Sequence, residues 1–166
     1  MNRSRMIALT AVALFCLGAA SNARADETLK YRSFTHATNV QTIDVGDVDG
    51  HLLGVNHQSG IASFPDGSVA TTYFTAVTDY TKGSGPVLVT YNNVTFEDGS
   101  VLWLKSVATA VADGTKTNIT KGTLTVVGGK GKYAGASGDG TFNGVRLAPL
   151  ATGADLYLDF TVNVKK

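Results

Sequence analysis

Four side chains with the chemistry to hold a small molecule lie in the middle of strand-like stretches: Tyr73, Tyr91, Trp103 and Lys105. Aromatic rings bury a large area against an apolar or phenolic ligand. Trp103 and Lys105 share one face of their strand, since residues two apart point the same way. We therefore predict these four as ligand-binding residues. The alternatives are ordinary core packing for the rings and, for Lys105, an outward side chain whose carbons cover apolar surface.

Metal binding is the next chemistry to weigh, because histidines and an acidic turn occur early in the chain. His51 and His57 share a strand face but would lie about 20 Å apart, too far to chelate one ion. The acidic turn 44–50 has the look of a calcium loop. An EF-hand register would nevertheless place Val45 at position one, where it offers no side-chain oxygen, and Asn56 at position twelve, where a bidentate carboxylate is needed. The sequence predicts a solvated turn and no metal.

A glycine-rich passage has the spacing of a dinucleotide-binding loop, Gly129-x-Gly131-x-x-Ala134. That loop requires a following helix whose first turn holds the pyrophosphate, whereas further glycines and a strand follow here. The glycines favour a bulge or a corner instead.

No Gly-x-Ser-x-Gly motif occurs after residue 25, which argues against hydrolase chemistry of that type. We predict no cofactor.

Residues 1–25 have the features of a secretory signal peptide. Arg3 and Arg5 precede an apolar run, and Ala23-Arg24-Ala25 is a small-residue cleavage site. The run is shorter than the roughly 18 to 20 residues that span a membrane. We expect cleavage after Ala25, a periplasmic or secreted product with no membrane contact afterwards, and a single β-barrel domain at 26–166. Cys16, the only cysteine, lies in the leader, so 26–166 contains no disulfide.

The charge balance limits the class of partner, and the strand pattern predicts the fold. The chain has 14 basic and 13 acidic residues, and no basic patch indicates nucleic acid as a partner. Eight stretches rich in Val, Thr, Phe and Tyr alternate with turn residues. They are 29–42, 51–64, 69–80, 87–96, 101–111, 117–127, 141–147 and 155–164. An eight-stranded antiparallel β-barrel is favoured over a sandwich, because closure removes exposed edges. Such a barrel is filled by side chains or holds one small ligand.

The fifth stretch is ambiguous because both of its faces are largely apolar. One face carries Val101, Trp103, Val107 and Val111, and the other carries Leu102, Leu104, Ala108 and Ala110. We expect Trp103 to form a wall of the lumen. The alternative is a subunit contact on the outer surface.

A repeated phrase marks two turns, since Phe64-Pro65-Asp66-Gly67-Ser68-Val69 returns as Phe96-Glu97-Asp98-Gly99-Ser100-Val101. Asp-Gly favours a hairpin turn because glycine adopts positive φ without steric cost. The pattern predicts positive φ at Gly99 and a fixed register for the fourth and fifth strands.

The passage 124–138 resembles the late barrel motif of allene oxide cyclases and plant dirigent proteins. In that motif a strand ends in Gly-Gly-x-Gly, followed by an aromatic residue, a small residue and further glycines. The matching residues are Gly128, Gly129, Gly131, Tyr133, Ala134, Gly135 and Gly138. The phrase at 96–100 is similar to one in bacterial exported proteins of the allene-oxide-cyclase-like group. The resemblance covers 51–164 and supplies no catalytic residue.

The resemblance implies an eight-stranded antiparallel barrel that accepts hydrophobic or phenolic molecules. It also implies cyclisation or radical coupling without a cofactor, and a homo-oligomer, either dimer or trimer. We therefore expect an exported barrel with a small apolar or phenolic ligand in its lumen, with cofactor-free isomerase or cyclase activity left open. The alternatives are a non-catalytic ligand-binding or structural barrel and a protein-interaction module.

Overall fold

A computed structural model describes residues 26–166 of the protein. The predicted signal peptide and its cleavage site lie outside the described residues. Within them, eight antiparallel strands pair in chain order and close into a barrel through β1 and β8. The strands are β1 (Glu27–Asp44), β2 (His51–Ser63), β3 (Val69–Thr81), β4 (Gly85–Phe96), β5 (Val101–Asp113), β6 (Lys116–Lys130), β7 (Ser137–Arg146) and β8 (Leu156–Lys165). The predicted eight-stranded antiparallel barrel is confirmed.

The interior is built from alternate residues of each strand, as a closed sheet requires. β8 shows this most clearly, because its inward residues are at most 8 % exposed. They are Leu156, Leu158, Phe160, Val162 and Val164. In β5 the inward face carries Leu102 and Leu104, whereas Val107 on the opposite face is exposed. No helix in residues 26–166 is long and apolar enough to cross a membrane.

The two copies of the repeated phrase form equivalent hairpin turns at the same end of the barrel. In the second copy the Phe96 amide donates to the Ser100 carbonyl at 2.9 Å, and the Asp98 carboxylate accepts from the Ser100 amide at 2.8 Å. Gly99 has φ of 76°, which confirms the prediction for this turn. The rings of Phe64 and Phe96 meet with centroids 5.6 Å apart.

The glycine-rich passage differs from the prediction in where the strands end. β6 continues to Lys130, a 3-10 turn covers Gly131–Tyr133, and β7 begins at Ser137, so much of the passage is strand. The strand pairing in this passage requires glycine, because the neighbouring backbone comes so close that a side chain would overlap it. A Cβ on Gly138 would overlap the carbonyl oxygen of Asn163, and Gly138 also has φ of 142°.

The barrel has two differently built ends. The aromatic end holds the turns 64–68, 97–100 and 131–136, and its rings are Tyr31, Phe64, Phe96, Tyr133 and Phe160. Neighbouring centroids in this group lie 4.7 to 5.6 Å apart. The loop end holds the connections 45–50, 82–84, 114–115 and 147–155. The last of these includes a second 3-10 turn, Leu150–Thr152, whose Leu150 packs on the core.

Candidate functional site

A cavity occupies the barrel interior towards the loop end. Its accessible volume is about 50 Å³. Its apolar wall is formed by Phe74, Val87, Ile119, Phe142, Leu156, Leu158 and Phe160. A concave and mainly apolar surface with a few polar groups is the usual character of a small-molecule site.

Polar side chains from several strands converge on this cavity, and they include Asn56, Gln58 and Asn92. All three are buried. Gln58 Oε1 accepts a hydrogen bond of 2.7 Å from Thr35 on β1, and Asn92 Oδ1 accepts one of 2.9 Å from Thr72 on β3. These bonds use the side-chain carbonyl oxygens. The Asn92 amide group therefore keeps donors for a molecule in the cavity.

Arg146 is the charged residue of the cavity wall, and it is only 9 % exposed. Its terminal amino group donates a hydrogen bond of 2.8 Å to Thr117 Oγ1. Its Nε is buried and has no hydrogen-bond partner among the described residues. The guanidinium carbon lies 5.8 Å from the centre of the Tyr80 ring. No carboxylate from residues 26–166 lines the cavity.

Burial has the largest effect on the pKa values of Arg146 and Tyr80. Burial lowers the pKa of Arg146, and the neighbouring Tyr80 opposes that shift. Burial also raises the pKa of Tyr80, against the effect of the Arg146 charge. Both shifts have the sign expected when a charged form loses its water. Arginine nevertheless keeps its charge in proteins, and the raised pKa of Tyr80 keeps its phenol protonated at neutral pH.

The inward position of Arg146 follows from the alternation of residues along β7. Phe142, Gly144 and Arg146 are spaced by two residues, so they share the inward face. Arg146 pairs with Leu156 of β8 and with Thr117 of β6. Once Phe142 is assigned to the interior, the spacing alone would have indicated that Arg146 points inward.

The four residues predicted to bind a ligand lie on the outer surface. Tyr73 and Tyr91 are exposed on β3 and β4, and Lys105 is exposed on β5. Trp103 is partly buried on the outer face of β5, so the expectation that it forms a wall of the lumen is wrong. Leu102 and Leu104 take the inward places instead. Ligand binding by the four stays a prediction, and none of them lines the cavity described above.

Neighbouring residues explain why Trp103 is accommodated outside. Its cross-strand partner is Gly128, and a Cβ there would lie 3.4 Å from the indole. The ring thus covers backbone that lacks a side chain of its own. Lys105 pairs across the strands with Tyr91, with its Nζ 5.8 Å from the ring centre, whereas Tyr73 is separate and stacks on His57. The structure therefore brings together two of the four.

The acidic turn is joined to the sheet by a histidine. His51 Nδ1 lies 2.6 Å from Asp47 Oδ1, and its Nε2 lies 2.8 Å from Asp79 Oδ1. Hydrogen bonds to Asp47 and Asp79 raise the pKa of His51, and the bond with His51 lowers the pKa of Asp47. Across residues 26–166, no group of three or more His, Cys, Asp or Glu side chains has a geometry that could hold a metal ion.

Comparison with known proteins finds a likeness to a solved structure. No protein-family model matches the chain, and no curated protein matches it at a significant level. The chain is similar to the solved structure of the pterocarpan synthase dirigent protein GePTS1, with 11% sequence identity and a TM-score of 0.45. The match covers 94% of this chain and 96% of that chain. The fold assignment rests on the strand pairing described above.

Proposed function

We propose that this protein is an exported barrel that binds a small apolar or phenolic molecule in its lumen. The observation that carries the proposal is the cavity, where aromatic walls meet converging buried amides and Arg146. Polar groups are costly inside a protein unless they gain partners. A barrel filled only for stability would be expected to carry apolar side chains at these positions. A bound molecule gives the polar groups a use.

The lumen offers a phenolic molecule both kinds of contact. Its ring would lie against Phe74 and Phe142, and its hydroxyl would accept a hydrogen bond from the Asn92 amide. Chemistry on the ligand is a second step. The described cavity wall has no carboxylate or histidine, so proton transfer would fall to Tyr80. An isomerase or cyclase would otherwise act by holding its substrate in shape and excluding water. Non-catalytic binding is the alternative.

Probe binding in a narrowed lumen tests this function. N-Phenyl-1-naphthylamine is neutral and apolar, and its fluorescence should rise on binding and fall when a phenol displaces it. Ala108 lines the cavity from β5, so Ala108→Trp should weaken probe binding at least tenfold. Val107→Trp on the outer face of the same strand is the matched control and should bind normally.

Two results would contradict the lumen as a binding site. One is a wild-type protein that binds neither the probe nor any phenol. The other is a folded Ala108→Trp variant that binds the probe as tightly as wild type. Should Ala108→Trp not fold, judged by circular dichroism, Ala76→Leu narrows the same cavity from β3 with a smaller side chain.

Export is proposed from the basic start, apolar run and Ala23-Arg24-Ala25 site of the leader. Intact-mass measurement of protein recovered from the periplasm or the medium should give Asp26 as the first residue. A retained leader on a membrane-bound product would contradict it.

A second candidate is a protein-interaction or homo-oligomeric role of the outer surface. The observation that favours it is the exposure of Tyr91, Val107 and Val127 on β4 to β6, which ranges from 44% to 54%. Exposed apolar area of this kind is frequent where proteins associate. Light scattering of the purified protein would give a mass above that of one chain if this surface joins copies.

A further inference from the structure

We propose that the natural ligand of the lumen is a carboxylate with an apolar or aromatic body, whose acid group pairs with Arg146. This rests on the proposed function, because it names the class of molecule that the same cavity would take. Three observations lead to it: a buried cation with one unsatisfied donor, the lack of a counter-ion among residues 26–166, and the distribution of polar and aromatic groups along the cavity.

The guanidinium of Arg146 is only partly satisfied. Arginine has five N–H donors, and here its described hydrogen-bond partners are the side chains of Thr117 and Tyr80. The Nε is buried without a partner among residues 26–166. A buried donor left unpaired is costly, and the cost is greater when the group is charged. A ligand that supplies hydrogen-bond acceptors to the guanidinium would remove this cost.

The groups that face Arg146 are all neutral. Tyr80 reaches it from β3, Thr117 from β6 and Leu156 pairs with it from β8. Leu150 lines the same cavity from the loop between β7 and β8. No carboxylate of the described chain lines the cavity, so the missing charge would come from the occupant.

Arg32, on the outer surface, has the carboxylate partner that Arg146 lacks among the described residues. Arg32 on β1 meets Asp159 of β8 through two hydrogen bonds of 2.6 and 2.7 Å. This paired arrangement matches the planar fork of guanidinium to the two oxygens of a carboxylate. Arg146 lines the cavity with no carboxylate beside it, and its buried Nε has no hydrogen-bond partner among residues 26–166.

The spacing of Arg146 and Phe142 along β7 suggests how the ligand lies. Arg146 is at the end of β7 next to the loop end, and Phe142 lies four residues deeper on the same face. Four residues of strand span about 13 Å. Phe142 stacks on Phe160 with centroids 5.1 Å apart, which gives an aromatic floor. The acid group would therefore lie near the loop end and the apolar body on the rings below.

A matched pair of ligands tests the charge preference. 3-Phenylpropanoate and 3-phenylpropanamide have nearly the same shape, and only the first is anionic at pH 7. Calorimetric titration of wild type should show the acid binding at least tenfold more tightly than the amide. Arg146→Met should abolish this preference and still bind the amide. Arg32→Met removes an arginine from the outer surface and should keep the wild-type preference.

The pH dependence in wild type gives a measurement that needs no variant to fold. Affinity for 3-phenylpropanoate should fall as the pH drops below its own pKa of roughly 4.5, near that of a glutamate side chain. Affinity for the amide should stay level over the same range.

The outcomes separate the two proposals. Equal affinity for acid and amide in wild type would overturn the role of Arg146 and leave the lumen as a binding site. An unchanged preference in folded Arg146→Met would do the same. No binding of the acid, the amide or the neutral naphthylamine probe would instead overturn the proposed function itself.

Discussion

The two ends of the barrel use their interior differently. At the aromatic end, Tyr31 stacks on Phe160 with centroids 4.7 Å apart, and Tyr133 is 1% exposed. At the loop end the interior contains amides, hydroxyls and Arg146 around a cavity. Packed apolar surface stabilises a fold, whereas space lined by polar groups does not. The aromatic end therefore carries stability, and the loop end keeps a cavity.

The largest expected effect compares two inward residues of β5. Leu102 is fully buried near the aromatic end, and Ser106 lines the cavity. Leu102→Ala should lower the free energy of unfolding by about 2–5 kcal/mol, because it leaves a void in packed surroundings. Ser106→Ala should cost less than about 1 kcal/mol. Urea unfolding measures both, and equal losses would remove the distinction between the ends.

The next effect concerns a turn at the aromatic end. Gly99 has φ of 76°, and nothing lies within 4 Å of where its Cβ would be. Gly99→Val should therefore cost roughly 1–3 kcal/mol through backbone strain alone. Gly99→Asn is the matched control and should cost less, since asparagine tolerates this conformation. Thermal melts that rank the two variants in the opposite order would contradict the explanation.

A charge effect is expected at the loop end. Because Asp47 and Asp79 raise the pKa of His51, its contribution is complete below the ordinary value near 6.5 and is lost as the pH rises through the raised value. The lowered pKa of Asp47 adds a contribution present above its ordinary value of 3.8 and lost on acidification. The destabilisation caused by His51→Gln should therefore be larger at pH 5.5 than at pH 9.

Hydrogen exchange read by mass spectrometry would locate that effect. Faster exchange in His51→Gln should appear at 45–53 and spare 94–104 at the aromatic end. His57→Gln is the control, because His57 bonds to the hydroxyls of Thr75 and Tyr73 and to no carboxylate of residues 26–166. A pH-independent difference for His51→Gln would argue against the ion pair.

The smallest expected effect concerns Trp103. Its ring lies outside the lumen, so Trp103→Ala should change the affinity for the neutral naphthylamine probe by less than twofold. A fivefold loss would place the ring against the ligand after all. Light scattering on the same variant tests the alternative of a subunit contact, where truncation should shift the mass towards one chain.

The sequence by itself determined the number of strands, their order and the two equivalent hairpins. These features are local, since Asp-Gly turns and β-branched stretches act over a few residues. The alternation in β8 likewise fixed its inward face, because only one face is apolar. Strand ends in the glycine-rich passage were not predictable in this way. There, close approach of Asn163 to Gly138 decides the structure.

Only the tertiary structure decided which face of β5 points inward. Both faces are apolar, and a shift of one residue in register exchanges them. Bulges between β5 and β6, at Trp103/Leu104 and Val107/Thr109, add shifts that the sequence does not announce. Arg146 reaches the cavity for a related reason. Its neighbours Tyr80 and Thr117 come from distant strands. Only the closed barrel therefore shows that no carboxylate of residues 26–166 lies beside its charge.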